Sequence, residues 1–249
     1  YYALRYGHIV QALLPLGTLG VDTFARFGWK REHLFPFMYN PETPKQIIDD
    51  PPRKKEGPLR LLYLGRFARS TKGIDVLMDA IDKINGDNWC LDLVGGYGEY
   101  KDETIEWAKK HPRVSFIGTW PSSEVCHRIG RYDICVVPSR FDGWNVVINE
   151  AICAGVGVIA TDASVSDELV KASGAGMVVP ADDVNALRDA IQLVVNDPSV
   201  ATAWKDKARA YSPRITSESV GNYLIDVLEY TFLDPTRQRP KCPWLMDSL

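Results

Sequence analysis

The chain has 249 residues, of which 45% are hydrophobic and 24% charged, with a formal net charge of −3. Those values fit one large globular domain, or a domain with a smaller companion, and set aside disordered and fibrous classes. No excess of positive charge points to nucleic acid, and no apolar run reaches transmembrane length. Five cysteines (Cys90, Cys126, Cys135, Cys153, Cys242) are odd in number and lack CxxC spacing, which argues against a zinc site and a disulfide framework. Reduced, buried cysteines in a cytosolic protein fit best.

In chain order, Tyr1-Tyr2-Ala3-Leu4-Arg5 opens without methionine and reads as the interior of a longer chain. Residues 1–39 hold an apolar stretch from Ile9 to Leu16 and a Gly-bounded helix around Val21 to Phe27. Residues 40–58 are rich in proline and carry Arg53-Lys54-Lys55, the composition of a solvated linker. The pattern then becomes regular over 59–212. Leu59 to Leu64 predicts a buried strand, and Ile74, Leu77, Met78, Ile81 and Ile84 predict a helix over Gly73 to Asn85. Strands follow at Cys90 to Val94, Val114 to Ile117, Ile134 to Val137, Val156 to Ala160 and Met177 to Val179. Helical segments separate them at Thr104 to Lys110, after Pro121, after Asn145 and at Asp167 to Ala172, and others follow at Val184 to Val195 and Ala201 to Ala210. Such alternation implies parallel pairing with both faces covered, a doubly wound, Rossmann-like α/β sheet. A last helix near Glu218 to Phe232 lies within 213–233, and 234–249 form a basic tail. The Thr236 to Lys241 run is able to touch anionic lipid, although a solvated, disordered end is expected.

Ligands of such sheets bind outside the carboxyl ends of the strands. The chemically suggestive residues collect at those ends. Gly65-Arg66 follows the first strand and Lys72 precedes the first helix, a fork and a point charge suited to a diphosphate. Gly-Lys-Ser/Thr is absent, so this is not a P-loop. Gly95-Gly96-Tyr97-Gly98 lacks the spacing of a dinucleotide fingerprint and reads as a sharp turn with positive φ. Asp142-Gly143-Trp144-Asn145-Val146 forms an acidic turn leading into a helix that carries Glu150. A helix N-terminus beside carboxylates offers groups for both phosphate and sugar hydroxyls. A glycosidase-like carboxylate pair would leave Arg66 and Lys72 without a task. The four histidines form no constellation, and the seven tryptophans form no basic stripe for stacking on nucleic acid.

These pieces, in order from Leu59 to about Asn196, resemble the donor-binding C-terminal half of GT-B glycosyltransferases, specifically glycosyltransferase family 4 (group 1). The matching segments are Leu64-Gly65-Arg66 with Lys72-Gly73, Leu93-Val94-Gly95, Val114 to Gly118, Asp133 to Ser139, Asp142 to Glu150, Ala154 to Ile159 and Gly176 to Pro180. The resemblance implies a retaining, metal-independent hexosyltransferase, without cofactor, using a nucleotide-sugar, UDP- or GDP-linked, as donor. The acceptor it implies is a glycan or lipid-linked glycan of bacterial surface polysaccharide synthesis, handled in the cytoplasm or at the inner face of the membrane. By matched position, Arg66 and Lys72 hold the diphosphate, with Gly65 at the strand end. Asp142, where the family usually has Glu, lies near the donor sugar, and Glu150 is expected on the ribose hydroxyls. Backbone N–H groups after Gly143, those of Trp144, Asn145 and Val146, meet sugar and phosphate, and Ile117 borders the base.

Asp142 shortens the reach of a glutamate by one methylene, Asn145 replaces a common glycine, and Ser164-Val165 stand where a Gly-Gly pair is frequent. Residues 1–39 resemble only the end of the N-terminal acceptor domain, 40–58 the hinge, and the last helix the segment that crosses back. The resemblance therefore implies weak donor binding and poor turnover for this length of chain alone. A nucleotide-sugar epimerase or hydrolase, and a non-catalytic nucleotide-sugar binding module, are the competing readings.

Overall fold

Leu59–Leu64 is buried at four of six positions because helices cover both faces of the sheet around it. In the computed structural model, which describes residues 2–40, 57–234 and 236–245, the apolar runs become six strands. They are β1 (Leu59–Leu64), β2 (Trp89–Val94), β3 (Val114–Gly118), β4 (Ile134–Val137), β5 (Gly157–Thr161) and β6 (Gly176–Val179). All pair in parallel, in the order β3-β2-β1-β4-β5-β6. The doubly wound α/β sheet expected from the alternation is what forms. Its interior strands β4 and β5 are buried throughout, which is why Ile134-Cys135-Val136-Val137 and Gly157 to Thr161 carry no charge.

Helices take their inward faces from the spacing of apolar residues. Val184–Asn196 buries Leu187, Ala190, Ile191 and Val194, and its start is capped by Asp183, whose carboxylate accepts from Asn185 N at 3.0 Å and Ala186 N at 2.9 Å. Asp197 caps Pro198–Tyr211 in the same way, with proline in the first turn, where its missing N–H is not needed. The helix expected over Gly73 to Asn85 is shorter. A single turn, Arg69–Lys72, ends at Gly73 in the left-handed region (φ 60°), and the helix proper runs Ile74–Ile81. Lys72 thus closes a short turn and, through Gly73, leads into a helix shorter than expected.

By packing, the chain divides into two compact units, Thr43–Pro213 and Tyr1–Glu42 with Arg214–Leu249. The first holds the sheet. Most of the linker expected over 40–58, including Arg53-Lys54-Lys55, lies outside the described residues. In the second unit the helices Gly17–Arg26 and Ser217–Phe232 supply Val21, Val220, Tyr223 and Val227 to the interior, beside Leu34, Phe35 and Met38. The apolar stretch Ile9 to Leu16 forms no strand among the described residues. It makes isolated parallel bridges, Leu13 to Leu34 and Leu16 to Phe37.

The basic tail needs correcting. Cys242, Trp244 and Leu245 are buried, the Trp244 ring meeting Tyr223 edge-on at 5.5 Å. Arg239 donates to Leu34 O at 2.6 Å and Arg31 O at 3.0 Å while its guanidinium lies over Phe35. The apolar residues just beyond the charged run hold it down, so 236–245 is part of the folded unit. No helix among the described residues is long and apolar enough to cross a membrane.

Candidate functional site

Strand order reverses between β1 and β4: the chain moves outward through β2 and β3 on one side, then through β5 and β6 on the other. Open α/β sheets bind ligands in the crevice at such a switch point. Two loops leave it side by side, 65–73 from β1 and 138–145 from β4, and 161–166 from β5 lies next to the second.

The 65–73 loop is pinned at both ends. Gly65 N donates to Val94 O at 3.0 Å, and the buried Tyr63 hydroxyl donates to Arg66 O at 2.5 Å, fixing the backbone beneath an exposed Arg66 side chain. At the other end the amides of Arg140 and Phe141 both donate to Thr71 O, at 2.8 and 3.1 Å. A β-carbon on Gly73 would overlap Pro138 O, so the two loops touch backbone to backbone. Between these anchors stands Lys72, whose ammonium pairs with Asp142. Their side chains are 20% and 14% exposed, so the pair is largely shielded from water.

Asp142 is positioned from the β5 side, its amide donating to Ala163 O at 2.9 Å beside an isolated bridge to Ser164. Asn145 caps the helix Val146–Cys153 by accepting from Val147 N at 3.2 Å. Its own amide donates to Ser166 Oγ at 3.1 Å, and Ser166 Oγ meets Ser164 Oγ at 2.8 Å. The Asn145 amide, expected to face a ligand, is therefore committed to the protein through Ser166, the residue just after Ser164-Val165. The amides of Trp144 and Val146 make no hydrogen bond among the described residues, leaving two donors at the helix head. The Trp144 ring is buried, its Nε1 donating to Asn149 Oδ1 at 3.0 Å, so only its backbone is available. Exposed Gly143 has no left-handed φ, and a β-carbon there would meet nothing within 4 Å.

Glu150 lies in the second turn of that helix, half-buried. Burial pushes its carboxyl up to about 7, with no cation offsetting the effect. It neighbours the cysteines of β4 and of Val125–Ile129: burial, then this carboxylate, pushes Cys126 up to about 12 and Cys135 higher still. Lys72 belongs to Asp142 and not to Glu150. Because the folded protein holds the Glu150 proton above the ordinary value of 4.5, it binds more protons than the unfolded chain between about 4.5 and 7. Stability falls as pH rises through that window, by at most about 3 kcal/mol. Glu150→Gln should flatten this part of the curve, as read by urea unfolding near pH 5 and near pH 7.5. An unchanged slope would assign it to another group.

Two glycine readings change. Gly95 and Gly96 do not have positive φ; Gly98 does, at 138°. Gly95 is required because a side chain would strike Gly65 O, a close approach of two strand ends at the site's floor. Ile117 is 45% exposed near the end of β3. Sequence reasoning overlooked Arg140, which sits in the same strand-end run and binds Asp75 through two nitrogens at 2.5 and 3.0 Å. Burial opposes ionisation of Asp75, but these bonds hold its carboxyl below the usual range. The cue was two opposite charges in segments that follow neighbouring strands, Asp75 in the first turn of the helix after β1 and Arg140 just past β4. No three His, Cys, Asp or Glu side chains gather into a metal-holding group among the described residues.

The family profile of Glycosyl transferases group 1 matches residues 44–211, more than half of the chain. The chain belongs to this family. It is 29% identical over 170 residues to the glycogen synthase of Mycobacterium tuberculosis, covering 67% of this chain and 40% of that protein. It is 34% identical over 96 residues to the lipopolysaccharide core biosynthesis mannosyltransferase LpcC of Rhizobium leguminosarum, 39% of this chain and 27% of that one. This group 1 glycosyl transferase chain thus spans well under half the length of these curated relatives. In fold it is similar to sucrose-phosphate synthase from Thermosynechococcus elongatus (TM-score 0.69, 23% identity, 92% of this chain and 61% of that one). It is also similar to Anabaena Alr3699/HepE in complex with UDP (TM-score 0.73, 18% identity, 91% and 66%).

Proposed function

We propose that the chain carries the donor side of a retaining, metal-independent glycosyltransferase. On this reading it moves a hexose from a nucleoside diphosphate sugar to a glycan or lipid-linked glycan of a bacterial surface polysaccharide. The reading is carried by one observation: a cation paired to a carboxylate, Lys72 with Asp142, stands at the sheet's switch point beside a helix head with two unmet amides. The mannosyltransferase relative and the UDP-bound structural neighbour support the choice of donor and product.

The chemistry follows from charge. As the bond between sugar and diphosphate breaks, negative charge builds on the leaving oxygens. Arg66 and Lys72 offset it in a partly dewatered cleft, where preset charges act more strongly than in bulk water. Asp142, freed when Lys72 turns to phosphate, accepts a sugar hydroxyl. Glu150 has no cation of its own and takes its hydrogen bonds from the ribose hydroxyls. Gly65 and Gly143 leave room at either lip, the Trp144 and Val146 amides donate to phosphate or sugar, Asn145 holds the helix head in place, and Ile117 borders the base. A second domain would supply the acceptor.

Thermal unfolding in the presence of UDP-, GDP- and ADP-sugars tests this. A donor at a hundred times its Kd should stabilise the folded chain by about 2.7 kcal/mol, and one base should stand out. If none of the three shifts the melting temperature, the donor-site reading fails.

A further inference from the structure

Arg140 occupies a place from which a cation would ordinarily face a phosphate, just past the end of β4 at the switch point. Four of the five N–H groups of its guanidinium are already used. Nη1 donates to Asp75 Oδ1 and to Arg69 O, both at 2.5 Å, Nη2 donates to Asp75 Oδ2 at 3.0 Å, and Nε donates to Asp182 Oδ1 at 2.5 Å. With the amide bond to Thr71 O, this residue ties three pieces of chain to the β4 loop: the Arg69–Lys72 turn, the Ile74–Ile81 helix and the turn after β6. A second observation marks the same place. Asp182 has φ 60°, alone among the described non-glycine residues in the left-handed region, and its carboxylate meets Arg140. Backbone held in that region persists only where surroundings demand it.

The groups that Arg140 grips flank Lys72 on both sides, Arg69 O and Thr71 O before it and Asp75 after it. Lys72 itself is held to the opposing loop through Asp142, beside the contact of Gly73 with Pro138. We propose that Arg140 is the positioning residue of this site, acting through Lys72 by clamping the 65–73 turn to the 138–145 loop so that a diphosphate meets a preset ammonium. The inference rests on the function proposed above. Arginine is required because one planar fork must span both Asp75 oxygens, a carbonyl and a second carboxylate at once, which a lysine point charge does not do. Preorganisation of this kind acts on affinity without any contact to ligand.

Titration calorimetry of the 249-residue chain with UDP, GDP and ADP provides the test, using Arg140→Gln, Arg140→Lys, Lys72→Gln and the Arg140→Gln/Lys72→Gln double variant. Arg140→Gln should weaken the bound nucleotide on the order of tenfold, and Arg140→Lys nearly as much. In the double variant the two losses should not multiply, because without Lys72 there is nothing left for Arg140 to place. Should Arg140→Gln fail to fold, the same cycle is run with Arg140→Lys. Losses that multiply, or an Arg140 variant that melts lower but binds as well as wild type, would overturn the inference and leave the donor site standing. Wild-type protein that binds none of the three nucleotides would overturn the proposed function, and this inference with it.

Discussion

Lys72→Gln and Asp142→Asn, the two halves of one ion pair, should move nucleoside diphosphate affinity in opposite directions. Without ligand the ammonium of Lys72 is taken by Asp142, both side chains largely shielded from water. A diphosphate brings more than one negative charge to the same cation and displaces the carboxylate. Losing the ammonium removes a charge-assisted hydrogen bond and leaves the carboxylate facing the phosphates. Lys72→Gln should therefore weaken binding by about 1.5–3 kcal/mol, a factor on the order of 10–100. Asp142→Asn removes the competitor and keeps the cation, so it should bind diphosphate more tightly, by roughly threefold to tenfold. Calorimetry with UDP or GDP reads both. If the two variants weaken binding alike, the pair is only a brace between loops, and Lys72 has no part in holding phosphate.

Gly73→Ala should be among the most damaging small changes in the chain. The residue has φ 60° and ψ 32°, and an added methyl group would overlap the Pro138 carbonyl oxygen. Left-handed strain and overlap against backbone, which cannot rotate away as a side chain can, together amount to about 3 kcal/mol. For a unit of this size that is a drop of roughly 6–12 °C in melting temperature. The effect should reach the site as well, since separating the loops moves Lys72 away from Asp142. Gly143→Ala is the matched control: with open space and no left-handed φ, it should alter stability by less than about 0.5 kcal/mol. A Gly73→Ala protein as stable as its parent would show that the loops separate without strain.

Much of this was readable in order along the chain. The apolar run Leu59 to Leu64 is β1 as it stands, and Ile134 to Val137 is β4, because burial on both faces writes itself into a few consecutive side chains. The places where loops leave strand ends, Gly65-Arg66 and Pro138 to Gly143, were legible for the same reason, and so was the family. The tail was misread because attention fell on the charges of Thr236 to Lys241, while Trp244 and Leu245 just beyond supplied the burial.

What the linear order of residues could not decide is which loops become neighbours. That depends on strand order, and the reversal between β1 and β4 comes from how the whole sheet packs its helices. Lys72 and Asp142 are 70 residues apart, Arg140 and Asp75 are 65 apart, and no local period relates them. Only the folded sheet showed that Lys72 is already paired, that the Asn145 amide is spent on Ser166, and that Arg140 spends four of its five side-chain donors on neighbouring segments. Local spacing encodes which face of an element is buried. Partnership between distant charges is settled by tertiary packing alone.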